Sequence, residues 1–110
     1  MAVESAKKAL AKAGKQASDV DMLVVSCSTL QRAYPGIAME VQAALGCGGY
    51  AFDMNVACSS ATFALQTVAN ALKVGAAKVA LLICPEICSG HMSFCDRDSH
   101  FLFGDASAAM

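Results

Sequence analysis

The sequence predicts an α/β fold with a mostly parallel central sheet. Two short and nearly continuous apolar runs, Met22–Cys27 and Lys78–Cys84, are typical of strands that are buried on both faces of a parallel sheet. Helical patterns lie before the first run and between the two runs, and such alternation indicates α/β architecture. The chain is 56% hydrophobic and 15% charged, whereas an average globular protein is about 45–50% apolar and about 25% charged. This excess predicts that further protein covers part of the surface.

The first half of the chain predicts two helices around the first strand. Residues 3–13 carry apolar side chains on one face and lysines on another, which is the helical pattern, and Gly14 is a suitable stop. Pro35 is well placed to open the next helix, Gly36–Leu45, because its fixed φ suits the first turn. Glycines follow and end that helix. Residues Tyr50–Met54 alternate weakly and predict a second strand.

A helix from Cys58 to Val74 follows, and it is apolar nearly all round, so we expect it to be buried on most sides. Its predicted buried face consists of Cys58, Ala61, Thr62, Leu65, Val68, Ala69 and Leu72. Gly75 is expected to close it before the strand Lys78–Cys84.

Pro85 is expected to prevent simple continuation of that strand in mid-sheet, since proline cannot donate to a sheet ladder. Residues 86–99 predict a loop, and 106–110 predict the start of a last strand after the bend at Gly104–Asp105.

Composition also excludes several classes of protein. The net charge is −1 and there is no tryptophan or basic stripe, which argues against nucleic-acid binding. No run reaches the roughly 18 apolar residues of a membrane span, and no secretory signal opens the chain. Because several of the six cysteines lie in apolar runs, we expect free thiols in a reducing cytoplasm. The six are Cys27, Cys47, Cys58, Cys84, Cys88 and Cys95.

Cys58 is the candidate nucleophile, because it lies between an extended segment and the start of a helix. We expect it in the first helical turn, where unpaired N–H groups and the positive end of the helix dipole favour the reactive thiolate. The alternative on these grounds alone is a buried structural cysteine, and the two hypotheses are about equally supported.

The segment Asn55-Val-Ala-Cys-Ser-Ser-Ala-Thr62 resembles the nucleophile segment of thiolase-fold condensing enzymes. With Phe52-Asp53 before it, the glycines near Gly46 and Phe103-Gly-Asp105 after it, the chain most resembles 3-oxoacyl-acyl-carrier-protein synthase III. The resemblance implies that residues 1–110 form a partial N-terminal thiolase-like domain, which is part of one half of an αβαβα sandwich.

The resemblance implies a decarboxylative Claisen condensation in fatty acid biosynthesis. Cys58 would take an acyl group from an acyl-CoA primer, and malonyl-acyl-carrier protein would lose carbon dioxide and attack the thioester. The Cys58 N–H would stabilise the oxyanion. The implied enzyme is a cytoplasmic homodimer that works with acyl carrier protein and needs no cofactor.

Three further positions match residues of the resembled family. Arg97 matches an arginine that contacts the CoA nucleotide, Tyr34 an aromatic residue that reaches the partner subunit's acyl pocket, and Phe103 a residue that lines the active-site tunnel. Their alternatives are a solvated loop arginine, an ordinary turn aromatic and a core side chain.

The match is incomplete in two respects. His91 and His100 do not match the family's catalytic histidine, which lies far downstream with a catalytic asparagine, so we expect an internal fragment that is inactive alone. The family commonly has glycines where Ala106 and Ala108 stand, which leaves the primer length open.

Other classes remain as alternatives. Cys84, Cys88, His91 and Cys95 give a C-x3-C-x2-H-x3-C pattern, which lies near the spacing of structural zinc sites. A thiolase or an elongating ketosynthase would use the same fold and nucleophile, and a non-catalytic half that only dimerises would need no activated thiol.

Overall fold

The computed structural model describes residues 1–110, which form three helices and a four-stranded sheet. The elements in chain order are α1 (Ala2–Ala13), β1 (Met22–Ser26), α2 (Ile37–Leu45), β2 (Tyr50–Met54), α3 (Ser60–Lys73), β3 (Ala80–Ile87) and β4 (Asp105–Ala109), with short 3-10 helices at Ala17–Asp19 and Cys88–Gly90. Each predicted helix and strand is present, and none of the helices is long and apolar enough to cross a membrane.

The sheet has the strand order β2-β1-β3-β4. Strands β2 and β3 both pair with β1 in parallel, and β4 pairs with β3 in the antiparallel direction. The prediction of an α/β fold with a mostly parallel sheet is therefore confirmed. All five residues of the central strand β1 are buried, as its continuous apolar run predicts.

Helices cover both faces of the sheet. On one face α1 and α2 pack through Leu10 and Val41 against Leu23, Val25 and other buried residues. Only α3 covers the opposite face, where its small and β-branched side chains meet the sheet. The fold is thus a three-layer arrangement with the parallel strands in the middle.

Two aspartates fix strands and helices by accepting backbone hydrogen bonds. Asp53, on β2, accepts the first N–H groups of α2, from Ile37 at 2.8 Å and Ala38 at 2.7 Å. Asp21 accepts the N–H groups of Lys78 and Val79 just before β3. These contacts satisfy donors that a helix start or strand start leaves without partners.

The strand predicted to end at Cys84 continues as β3 to Ile87, although Pro85 does not continue it in mid-sheet. Pairing with β1 stops at Ile83, and beyond it β3 pairs only with β4, with Pro85 opposite Ser107. This stretch is locally an edge strand, where the missing N–H of proline costs no ladder hydrogen bond.

The predicted buried face of α3 is also wrong in most positions. The helix begins at Ser60, and its buried residues are Ser60, Ala64 and Val68. Leu65 and Leu72, which were expected to face inward, are 49% and 41% exposed. Because nearly every position of this helix is apolar, its pattern could not identify the side that faces the sheet.

Candidate active site

The four residues proposed from the sequence lie in the connections at one edge of the sheet. Tyr34 follows β1, Cys58 follows β2 and Arg97 follows β3. All three therefore lie in connections that begin at the carboxyl ends of parallel strands. Phe103 precedes β4, which runs antiparallel and therefore starts at the same edge. Ligands of open α/β sheets bind at this carboxyl edge.

Cys58 lies in a tight turn between β2 and α3, which we call the Cys58 turn (residues 55–59). The turn contains Ala57 with φ of 48°, a left-handed conformation that residues with a Cβ rarely adopt. Ser59 is the N-cap of α3. Cys58 therefore stands one residue before the N-cap instead of in the first turn, and the expectation of a buried thiol is wrong because Cys58 is exposed.

Ser60 ties the Cys58 turn together. Its hydroxyl accepts the N–H of Val56 at 2.6 Å and donates to the carbonyl of Ala57 at 2.7 Å, while its own N–H also donates to Ala57 at 3.0 Å. Ser60 is only 2% exposed. The amide N–H of Cys58 itself donates to no group of the chain.

Most of the other cysteines are less exposed than Cys58. Burial raises the pKa of the Cys27, Cys47 and Cys84 thiols above the ordinary value of 9.0, which keeps them protonated and unreactive at neutral pH. Cys95 shares the exposure of Cys58 but lies in the β3–β4 connection, away from a strand-to-helix turn. All six cysteines are free of disulfide bonds.

The remaining predicted site residues are exposed. Tyr34 is 84% exposed, and Arg97 is exposed and makes no ion pair. Phe103 is 54% exposed and lines a cavity of about 440 Å³ together with Thr29 and six residues of the β3–β4 connection. Cys58 is not among the lining residues, so this structure does not bring Cys58 and Phe103 into one cavity.

Glu86 organises the same edge and was not identified from the sequence as a site residue. Its carboxylate accepts the N–H and hydroxyl of Ser28 at 2.8 and 2.9 Å and those of Thr29 at 3.0 and 2.6 Å. Burial acts to raise the pKa of Glu86, but these hydrogen bonds outweigh it and hold that pKa below its ordinary value. The end of β3 is thereby joined to the loop that carries Tyr34.

The zinc alternative is not supported. Cys84, Cys88, His91 and Cys95 do not assemble, and no group of three metal-ligating side chains in the chain could hold an ion. The reason is that Cys84 lies inside β3, opposite Ala108, and packs on the side of the sheet that α3 covers.

The comparisons with known proteins agree on one family. The family described as 3-oxoacyl-[acyl-carrier-protein (ACP)] synthase III matches residues 52–110. A β-ketodecanoyl-[acyl-carrier-protein] synthase of Pseudomonas aeruginosa is 59% identical over the whole chain, which covers 31% of that protein. A β-ketoacyl-[acyl-carrier-protein] synthase III of Anaplasma marginale is 42% identical over 99% of the chain and 34% of its own length.

Solved structures agree as well. The crystal structure of 3-oxoacyl-[acyl-carrier-protein] synthase III from Aquifex aeolicus superposes with a TM-score of 0.95 at 37% identity, over 99% of this chain and 36% of that one. The thiolase-like fold is thus confirmed, and the chain spans about a third of the length of the curated relatives it matches. Because the family match covers more than half of these 110 residues, the chain belongs to the 3-oxoacyl-[acyl-carrier-protein] synthase III family.

Proposed function

We propose that the complete enzyme condenses an acyl-CoA primer with malonyl-acyl-carrier protein, and that residues 1–110 supply the nucleophile Cys58. The observation that carries this proposal is the Cys58 turn, which presents an exposed thiol at the carboxyl edge of the sheet. The turn lies within the residues that match the synthase III family.

The proposed reaction has two half-reactions. The Cys58 thiolate attacks the thioester carbonyl of the acyl-CoA, a bond forms between Cys58 sulfur and the acyl carbon, and the CoA thiolate leaves. Malonyl-acyl-carrier protein then loses carbon dioxide, and its carbanion attacks the same acyl carbon. The new carbon–carbon bond forms as Cys58 thiolate is released, so no oxidant, metal or other cofactor is needed.

Each half-reaction passes through a tetrahedral intermediate whose oxygen is negatively charged. The N–H of Cys58 is a suitable donor to that oxygen because it makes no hydrogen bond within the chain. A backbone donor held in place before the reaction is worth most in such a step.

The relative from Pseudomonas aeruginosa suggests the length of the primer. It is named for a β-ketodecanoyl product, and malonyl condensation adds two carbons, so the corresponding primer is an eight-carbon acyl group. We propose a medium-chain primer for this enzyme too. The alanines at 106 and 108, where the family commonly has glycines, support a departure from the usual preference.

The remaining roles follow from the family. We propose that Arg97 contacts the CoA nucleotide and that Phe103 lines the acyl tunnel. Tyr34 is proposed to enter the acyl pocket of a second subunit in a cytoplasmic homodimer, which would explain an aromatic side chain left 84% exposed. Acyl carrier protein is the second partner.

Acylation of the complete enzyme tests the proposal. Octanoyl-CoA is expected to add one octanoyl mass to the peptide that contains Cys58, faster than acetyl-CoA adds an acetyl group, and malonyl-acyl-carrier protein should then release a ketodecanoyl product. Cys58→Ser should abolish the cysteine thioester, whereas Cys95→Ser, which removes the other exposed thiol, should retain it.

Two results would oppose the proposal. Acylation mapped to a cysteine other than Cys58 would reject the nucleophile, and a non-catalytic half would show no acylation at all. Preference for acetyl-CoA would reject only the primer length.

A further inference from the structure

We propose that Ser60 is a positioning residue that fixes the direction of the Cys58 N–H toward the reacting oxygen. The inference rests on the proposed function, since it concerns the acyl transfer by Cys58. It starts from one buried hydroxyl that makes two short hydrogen bonds to backbone groups before the nucleophile.

The peptide bond between Ala57 and Cys58 connects the Ser60 hydroxyl with the direction of the Cys58 N–H. A trans peptide is planar, so its carbonyl and its N–H point in opposite directions and turn together. The carbonyl of Ala57 accepts the Ser60 hydroxyl at 2.7 Å and the Ser60 N–H at 3.0 Å. With this carbonyl held toward the start of α3, the N–H of Cys58 must point away from it, where no group of the chain accepts it.

The backbone needs this support because of its conformation. Ala57 has φ of 48°, which is unfavourable for an L-residue with a side chain and persists where surrounding contacts impose it. Besides donating to the Ala57 carbonyl, the Ser60 hydroxyl accepts the N–H of Val56, one residue before Ala57, at 2.6 Å. Its loss would leave the Val56 N–H without an acceptor and the Ala57 carbonyl with the Ser60 N–H alone, which would loosen the Ala57–Cys58 peptide.

Comparing the rates of acyl transfer and alkylation distinguishes this role of Ser60 from a merely structural one. Acyl transfer to Cys58 forms an oxyanion, whereas alkylation by iodoacetamide displaces iodide and forms none. A residue that directs the oxyanion donor should affect the first reaction and spare the second. A residue that only maintains the fold should change both rates together or neither.

The experiment compares variants of the complete enzyme. In Ser60→Ala we expect kcat for acylation by octanoyl-CoA to fall about tenfold, with the primer KM and the rate of Cys58 alkylation within about twofold of wild type. The loss is limited because the Ser60 N–H still holds the Ala57 carbonyl. Ser60→Thr keeps the hydroxyl and should restore most of the rate.

Two control variants match Ser60, one in its hydroxyl group and the other in its burial. Thr67→Ala removes another hydroxyl of α3, which donates to the carbonyl of Phe63, and Val68→Ala truncates another buried residue of α3. Both should keep the wild-type ratio of acylation to alkylation, even where thermal unfolding shows that Val68→Ala is less stable. Where Ser60→Ala does not fold, Ser60→Cys keeps the volume with a weaker donor, and its acylation kcat should fall.

Failure of the Ser60 role can be distinguished from failure of the proposed function. If wild-type Cys58 alkylates but is never acylated, the proposed function fails. If wild-type Cys58 is acylated and folded Ser60→Ala keeps the wild-type kcat, or loses acylation and alkylation in equal measure, the role of Ser60 is refuted while the nucleophile stands.

Discussion

Replacing Glu86 by glutamine tests whether one carboxylate joins the end of β3 to the loop after β1. Four donors converge on it, two from Ser28 and two from Thr29, at 2.6–3.0 Å. A glutamine side chain has the same shape but only one acceptor oxygen. Its NH2 group would face the two donors of one residue and leave them without an acceptor.

The expected loss follows from the number of donors left unpaired. A hydrogen bond to a charged group contributes about 1.5–3 kcal/mol, and Glu86→Gln removes two while weakening the other two. The hydroxyls can turn to water, since the site is only half-buried, and solvent reduces the electrostatic part. We therefore expect the free energy of unfolding to fall by about 2–3 kcal/mol at neutral pH.

The pH dependence gives an independent check. Hydrogen bonds hold the pKa of Glu86 below its ordinary 4.5 against the opposing effect of burial. A depressed pKa stabilises the folded state fully above about pH 4.5, and this stabilisation is lost as the pH falls through the folded-state pKa. The difference between wild type and Glu86→Gln should thus be largest near pH 7 and shrink in acid.

Urea unfolding of the complete enzyme, followed by circular dichroism from neutral to acidic pH, measures both effects. Glu4→Gln is the matched control, because Glu4 is exposed and pairs only with Lys7 at 3.5 Å, so it should change stability by less than about 0.5 kcal/mol. Equal stability of Glu86→Gln and wild type at pH 7, or a difference that grows in acid, would refute the reasoning.

Three further changes have measurable consequences in urea unfolding. Asp53→Ala should cost about 1–3 kcal/mol, because it removes the acceptor for two N–H groups at the start of α2, and an unchanged midpoint would deny that capping role. Gly49→Ala should cost about 2–4 kcal/mol, since φ is +70° and the added methyl would collide with the backbone of Asp21; a neutral effect would contradict this close approach. Leu82→Ala should cost about 2–5 kcal/mol because Leu82 is fully buried, whereas exposed Leu102→Ala should be nearly neutral, and equal losses would refute the core assignment.

The order of helices and strands could be predicted because each depends on local patterns. The central strand is a short apolar run without helical spacing, and Gly14 ends α1 in the left-handed conformation that glycine adopts without penalty. The course of β3 beyond Pro85 could not be predicted, because proline is tolerated there only through the absence of a neighbour on one side. Sheet neighbours are a property of the tertiary structure.

The site was predictable only where its chemistry is local. Cys58 could be proposed as the nucleophile from its position between a strand and a helix. A serine two residues later could have indicated a turn-closing hydroxyl, since serine often bonds backbone groups three or four residues before it. Glu86 had no such signal. Its partners Ser28 and Thr29 lie 58 and 57 residues earlier in the chain, and only the parallel pairing of β1 with β3 brings them together.

The apolar pattern of α3 is best explained by contacts with the rest of the complete enzyme. Its sequence indicates burial on most sides, yet Phe63 is 55% and Leu65 49% exposed while Ala64 between them is fully buried against the sheet. The chain spans about a third of the length of its relatives. We propose that the exposed side of α3 packs against the rest of the enzyme. The predicted extent of burial of α3 would then be correct, and only the predicted side that faces the sheet would be wrong. On this proposal, the high apolar content of these residues has the same cause.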